Sequence, residues 1–138
     1  CLITGKPYSS FLSNSTKKRS FSNLKFLLFL DKEILYNNIN LRVDNMIKDG
    51  LIEEVESLKN FSNLNALNTV GYKEIFNYLN GKTDKKSAIE QIKNNTKKYS
   101  KRQMTWFKKD PSYQWINNND IEKSRMSILK KIKEFKYD

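Results

Sequence analysis

Lys25-Phe26-Leu27-Leu28-Phe29-Leu30-Asp31 is the stretch that decides the fold. Its apolar run, Phe26 to Leu30, lacks the alternation of a half-exposed strand. It suits a strand buried on both faces of a parallel sheet, where no solvent side imposes a period of two. Asp31 then stands where an N-cap carboxylate would meet the free N–H groups of a following helix. That helix is expected over about 32–48, since Leu35, Ile39, Val43, Met46 and Ile47 share one face at about 100° per residue. Gly50 ends it. A second helix over 51–59 turns Leu51, Val55 and Leu58 inward. A polar loop over 60–68 is anchored by Leu64 and Leu67, and a short helix over 72–79 closes on Asn80-Gly81.

Downstream, the longest helix is expected over 84–108, ended by Asp110-Pro111. Its wheel puts Ala88, Ile89, Ile92, Thr96, Tyr99, Gln103, Trp106 and Phe107 within an arc of about 100°. Lys93, Lys97, Lys101 and Lys108 share another arc, with Lys98, Arg102 and Lys109 beside them. Tyr113 to Ile116 reads as a short strand and Asn117 to Asn119 as a turn. Asp120 caps a last helix carrying Ile121, Ile128, Leu129 and Ile132. The order is strand, four helices, strand, helix, which gives a helix-rich α/β class. Two short strands do not make a stable sheet alone, so the rest of the sheet is expected upstream. Residues 1–22 are rich in Ser, Asn and Lys, with Gly5-Lys6-Pro7 as a helix breaker, and read as the tail of a preceding unit plus a linker. The chain opens on Cys1 and is read as a piece of something longer.

Charge narrows the function. The 138 residues hold 26 Lys+Arg against 15 Asp+Glu, a net +11. Such an excess points to a polyanion, nucleic acid or an acidic membrane surface; a lysine-rich genome is the plain alternative. Histidine is absent and Cys1 is the single cysteine, which excludes a His/Cys zinc site, a His-dependent triad and an intrachain disulfide. This suits a reducing, cytoplasmic setting. The longest apolar run is too short to span a bilayer, and no signal peptide is readable. A phosphate loop, G-x-x-x-x-G-K-S/T, is missing; Thr4-Gly5-Lys6-Pro7 echoes it only weakly. Glu53-Glu54, at a helix start, read as solvated residues favouring the macrodipole.

Three segments carry chemistry. In Asn40 to Val55, Arg42 sits at the margin of the apolar stripe, where a guanidinium can fork onto phosphate oxygens. An ion pair with Asp44 or Glu33 is the competing reading. In Asn68-Thr69-Val70-Gly71-Tyr72-Lys73-Glu74, the glycine permits close backbone approach. Tyr72 could stack on a base and Lys73 neutralise a phosphate, or the segment is an ordinary junction with Tyr72 packed inward. In Lys97 to Lys108, an almost purely positive face accepts like-charge repulsion at i,i+4. That favours a surface tracking RNA or DNA phosphates over a merely solvated face.

These segments resemble the tRNA dimethylallyltransferase (tRNA isopentenyltransferase) family in its C-terminal half. The matches are Arg42-Val43-Asp44-x-Met46-Ile47-x-x-Gly50-Leu51-x-x-Glu54-Val55, then Thr69-Val70-Gly71-Tyr72-Lys73-Glu74, then Lys101-Arg102-Gln103-Met104-Thr105-Trp106-Phe107. Leu2-Ile3-Thr4-Gly5-Lys6-Pro7-Tyr8 is similar to the family segment that ends a helical insertion. The resemblance implies that 1–22 closes the insertion domain and 23–138 is the C-terminal part of a P-loop NTPase-like core. It implies that the N6 amine of the adenosine 3′ to the anticodon attacks dimethylallyl diphosphate, and that diphosphate leaves. It makes Arg42 the arginine facing the diphosphate, Asn68, Thr69, Val70, Gly71, Tyr72 and Lys73 a loop touching tRNA, and Lys101, Arg102, Gln103, Met104, Thr105, Trp106, Phe107 and Lys108 a tRNA-contacting helix.

The phosphate loop, general base and Mg²⁺ ligands implied by the family belong to an N-terminal half. This chain alone is therefore expected to be inactive and to need that half, the tRNA anticodon stem-loop and dimethylallyl diphosphate as partners. A cytoplasmic monomer without membrane contact is expected. Where the family often has Thr-Arg-x-x-Ala, Thr96-Lys97-Lys98-Tyr99-Ser100 stands here, and lysine lacks the bidentate fork. Two alternatives stay open: a non-catalytic basic RNA-binding module, and an adenylate isopentenyltransferase acting on a free nucleotide.

Overall fold

A computed structural model describes residues 5, 7 and 20–135. The element order is β1 Lys25–Phe29, α1 Lys32–Lys48, α2 Leu51–Ser57, α3 Tyr72–Leu79, α4 Lys85–Phe107, β2 Tyr113–Asn117 and α5 Ile121–Glu134. Single 3-10 turns, Lys59–Phe61 and Asn65–Leu67, fill the connection from α2 to α3. The class is helix-rich α/β, as the sequence pattern gives. Residues 1–4, 6 and 8–19 of the expected insertion tail and linker lie outside the described residues.

The core sits where α1, α2, α3 and α4 meet. Val43, Leu51, Val55, Ile75, Phe76 and Ile92 are buried together, with Met46, Ile47, Leu58, Leu67 and Tyr72 packed around them. Gly50 lets α2 fold back at once onto α1: its φ is +102°, a left-handed conformation that a side chain would strain. α2 ends at Ser57 rather than Lys59, and the chain tightens into the first 3-10 turn. Of the two expected loop anchors, Leu67 reaches the core, whereas Leu64 is exposed.

β1 and β2 pair in parallel, Lys25 opposite Tyr113 through Phe29 opposite Asn117. Burial of β1 on both faces does not hold among the described residues, because Leu28 is 52% exposed. The other apolar residues of β1 are half-buried, and Leu27 to Leu30 line a groove with Gln103, Met104 and Phe107 of α4.

Asp31 does not cap α1 with its side chain. Its carboxylate accepts from Asn117 Nδ2 at 3.0 Å and Asn119 Nδ2 at 2.6 Å, while its own N–H donates to Asn119 Oδ1 at 3.0 Å. Two amide donors across the strand pair saturate the carboxylate and clasp the carboxyl ends of both strands. Asp84 and Asp120 do cap, accepting from the N–H of Ser87 and of Lys123.

Candidate functional site

α1 carries Ile39, Arg42, Val43 and Met46 along one side of a groove of about 510 Å³. The loop Asn68-Thr69-Val70 forms a second side, and Ile92, Thr96 and Tyr99 of α4 a third. The groove is apolar inside with polar groups at its rim. Arg42 and Asn68 to Val70, far apart in sequence, therefore come together. Arg42 is exposed and makes no ion pair among the described residues. Asp44, its expected competitor partner, is taken by Lys93, whose Nζ lies 2.7 Å from Asp44 Oδ1 and 3.6 Å from Glu90 Oε1. The Asp44 hydrogen bond leads in raising the Lys93 pKa above its ordinary value. Lys93 thus braces α4 against α1 and leaves the basic front on which the helical wheel placed it.

The loop owes its position to a buried carboxylate. Glu74, 4% exposed, accepts from the Gly71 N–H at 2.8 Å and from Asn95 Nδ2 at 2.7 Å. Gly71 itself has φ +104°, and an added Cβ would meet nothing within 4 Å, so backbone conformation rather than space requires glycine here. Tyr72 packs on the core, and its hydroxyl donates to Glu54; this bond is the main cause of a phenol pKa raised above the usual tyrosine value. Tyr72 therefore takes the inward alternative. Lys73 is exposed and lines a separate shallow cleft with Asn68, Asn77 and Asn80.

The third segment divides by face. Lys101, Met104, Thr105 and Lys108 line a second groove, shared with Lys32 and Tyr36 of α1. Gln103, Met104 and Phe107 turn toward Leu27 to Leu30 at β1. Arg102 stacks its guanidinium over the Tyr99 ring at 5.8 Å. Trp106 departs from the expected packed face: it is 63% exposed, resting edge-on against Phe107 at 4.9 Å. The cause is length. At 1.5 Å per residue α4 is about 34 Å long and outruns the helices it packs on; only Ala88 and Ile92 of its stripe are buried. Thr96 and Tyr99 join the first groove, although the sequence did not name them as site residues. Among the described residues no three His, Cys, Asp or Glu gather into a metal site. No helix among them is long and apolar enough to cross a membrane.

The chain is similar to proteins of known family over most of its length. The IPP transferase family model matches residues 1–110. A tRNA dimethylallyltransferase of Christiangramia forsetii is 50% identical over 124 residues, which cover 90% of this chain and 41% of that protein. A tRNA dimethylallyltransferase 2 of Azobacteroides pseudotrichonymphae is 46% identical over 129 residues, covering 94% of this chain and 42% of that protein. The crystal structure of the full-length tRNA isopentenylpyrophosphate transferase of Bacillus halodurans superposes with TM-score 0.74 at 33% identity, over 80% of this chain and 38% of that one. A tRNA delta(2)-isopentenylpyrophosphate transferase of Staphylococcus epidermidis gives TM-score 0.73 at 31% identity, with the same coverage. The chain thus spans about two fifths of the length of the curated relatives it matches, at 41% and 42%. Its elements belong to the P-loop NTPase-like fold of those transferases, and the chain belongs to the IPP transferase family.

Proposed function

We propose that this chain is the substrate-facing C-terminal part of a tRNA-modifying prenyltransferase, and that it presents one arginine to the prenyl donor and one basic helix to the RNA. One observation carries the reading: Arg42, without an ion-pair partner among the described residues, stands at the rim of an apolar groove that the Asn68 to Val70 loop also lines. A guanidinium neutralises the charge that builds on a leaving diphosphate. The apolar walls, Ile39, Val43, Met46 and Val70, suit a short branched hydrocarbon. In the reaction proposed, the N6 amine of the adenosine 3′ to the anticodon forms a bond to the first carbon of dimethylallyl diphosphate. The carbon–oxygen bond breaks, diphosphate leaves with the electron pair, and the amine loses a proton.

The base that takes this proton, the phosphate loop and the ligands of a Mg²⁺ ion are proposed to lie in an N-terminal half. A divalent ion there would supply charge stabilisation for the diphosphate. Residues 23–138 are proposed as the C-terminal part of the core and 1–22 as the end of an insertion domain, in a cytoplasmic monomer. Asn68 to Lys73 and Lys101 to Lys108 are proposed as tRNA contacts. A free adenylate would have little use for a 23-residue helix with so basic a front, which favours tRNA as acceptor.

The test is Arg42→Ala in the complete protein, with steady-state kinetics for the donor and a separate tRNA titration. Efficiency with dimethylallyl diphosphate should fall by about 2–3 kcal/mol, the size of a charge-assisted contact, with tRNA affinity unchanged. Loss of tRNA binding with intact donor kinetics would assign Arg42 to the RNA instead.

A further inference from the structure

The groove between the start of α1 and the C-terminal half of α4 holds a cluster of cations around one aromatic ring. Lys32 Nζ lies 5.6 Å from the centre of the Tyr36 ring, and Lys97 Nζ, from the other helix, lies 5.5 Å from the same centre. Lys32, Lys101 and Lys108 line the groove itself, and Lys97 stands beside it at Tyr36. None of the four lysines makes an ion pair among the described residues, and no acidic residue lines the groove. Its floor is apolar, Leu30, Leu35 and Met104, in a space of about 380 Å³.

The physical tension is plain. Elsewhere on α4 a lysine that approaches α1 is neutralised, as Lys93 is by Asp44. At Tyr36 two ammonium groups from different helices lie within 5.6 Å of one ring, and neither has a carboxylate partner among the described residues. The ring attracts each of them but leaves both charges unneutralised; an anion within reach neutralises them. The lysines ask for phosphate, and the apolar floor beside Tyr36 asks for a flat, weakly polar group. A base-paired duplex offers phosphates only, its bases being stacked inside. An unpaired nucleotide offers both.

We propose that Lys32, Tyr36, Lys97 and Lys101 form a binding site for an unpaired nucleotide of the RNA substrate, its phosphates between the lysines and its base against Tyr36 and Met104. This rests on the reading of the chain as part of a tRNA-modifying enzyme, and it extends the RNA surface from α4 onto α1.

The test measures binding by the complete protein to three fluorescent RNAs: an anticodon stem-loop, a single strand of the loop sequence, and a blunt duplex of the stem. Wild type, Lys32→Gln, Lys97→Gln, Tyr36→Leu and the α5 control Lys133→Gln are compared across a salt series. Each of the two charge removals at Tyr36 should weaken stem-loop and single-strand binding and lower the log–log salt slope by about 0.7, the single-strand value. Tyr36→Leu should weaken both by about 5- to 160-fold, the range for loss of one stacked base. Duplex binding and Lys133→Gln should change little. A 4-thiouridine placed in the loop should crosslink to the α1 peptide holding Tyr36. Because Tyr36→Leu also alters packing, exposed Lys32 gives an independent readout. Wild type failing to bind the stem-loop would overturn the RNA reading itself. Normal stem-loop binding by both lysine variants would overturn this site alone, and so would equal losses on the duplex. Competition by poly-glutamate as strong as by RNA would assign the groove to an acidic protein and overturn it too.

Discussion

Glu74 is the residue whose removal most directly tests how the loop beside Arg42 is held. Its carboxylate is buried and has two partners in hydrogen-bond range, the Gly71 N–H at 2.8 Å and Asn95 Nδ2 at 2.7 Å. Hydrogen bonds to a charged group contribute about 1.5–3 kcal/mol each, and a buried donor left without an acceptor costs about 1–3 kcal/mol. Glu74→Ala removes both acceptors at once and strands both donors, so a loss of about 3–5 kcal/mol is expected. Glu74→Gln keeps one carbonyl oxygen, which serves one donor while the new amide faces the other; about 1–3 kcal/mol is expected. Urea unfolding gives both numbers through shifts in midpoint at constant slope. Hydrogen exchange supplies a local readout, since the Gly71 amide should lose protection in both variants. A cost below about 1 kcal/mol for Glu74→Ala, with Gly71 exchange unchanged, would refute the claim that this carboxylate fixes the loop.

Other outcomes follow from the same geometry. Trp106→Ala should cost about 1 kcal/mol, well under the 3–5 kcal/mol of a buried aromatic, because most of the ring is exposed; a loss in the higher range would show that another part of the protein covers it. Asp110 has its pKa lowered to about 2, first by hydrogen bonds from the Ser112 side chain and backbone and then by Lys25. A depressed carboxyl contributes stability above its unfolded value of 3.8 that is lost as pH falls toward 2, so the stability gap between wild type and Asp110→Asn should close across that window and stay constant above it. Lys101→Ala and Arg102→Ala should each lower the salt slope of tRNA binding by about 0.7–0.9, and an unchanged slope in the double variant would show that this face is only solvated. The chain on its own should transfer no prenyl group from labelled dimethylallyl diphosphate, and turnover near that of a complete relative would sink the division of labour proposed above.

The fold was legible wherever apolar spacing and helix punctuation agree. Tyr72–Leu79 came out at its observed bounds, and α4 within a residue at each end, because Asp84 caps it and Asp110-Pro111 follows it closely. Asp31 misled for a specific reason. A cap assignment weighs only the helix that follows, whereas the carboxylate meets side-chain amide donors in Asn117 and Asn119, more than 80 residues away. No local pattern carries that competition. The exposure of Trp106 was hidden in the same way, since a helical wheel reports which residues share a face but not how far along the axis that face is covered.

For the site, pairing rather than placement was the missing information. The wheel grouped Lys93 with Lys97 and Lys101 because all three share an arc, yet Lys93 meets Asp44 whereas Lys97 meets Tyr36. Asp44 and Tyr36 are both on α1, two turns apart, and the crossing of α1 over α4 assigns one an ammonium to neutralise and the other an ammonium to hold unneutralised. The same crossing occupies Asp44, one of the two acids that the sequence offered Arg42. Whether Arg42 is ion-paired, left open in the sequence, is thus a question about how α1 packs against α4. Substituting Asp44 with Asn would reopen it: Lys93 would keep only the Glu90 carboxylate, 3.6 Å away on its own helix, and would lose the ion pair that braces α4 against α1.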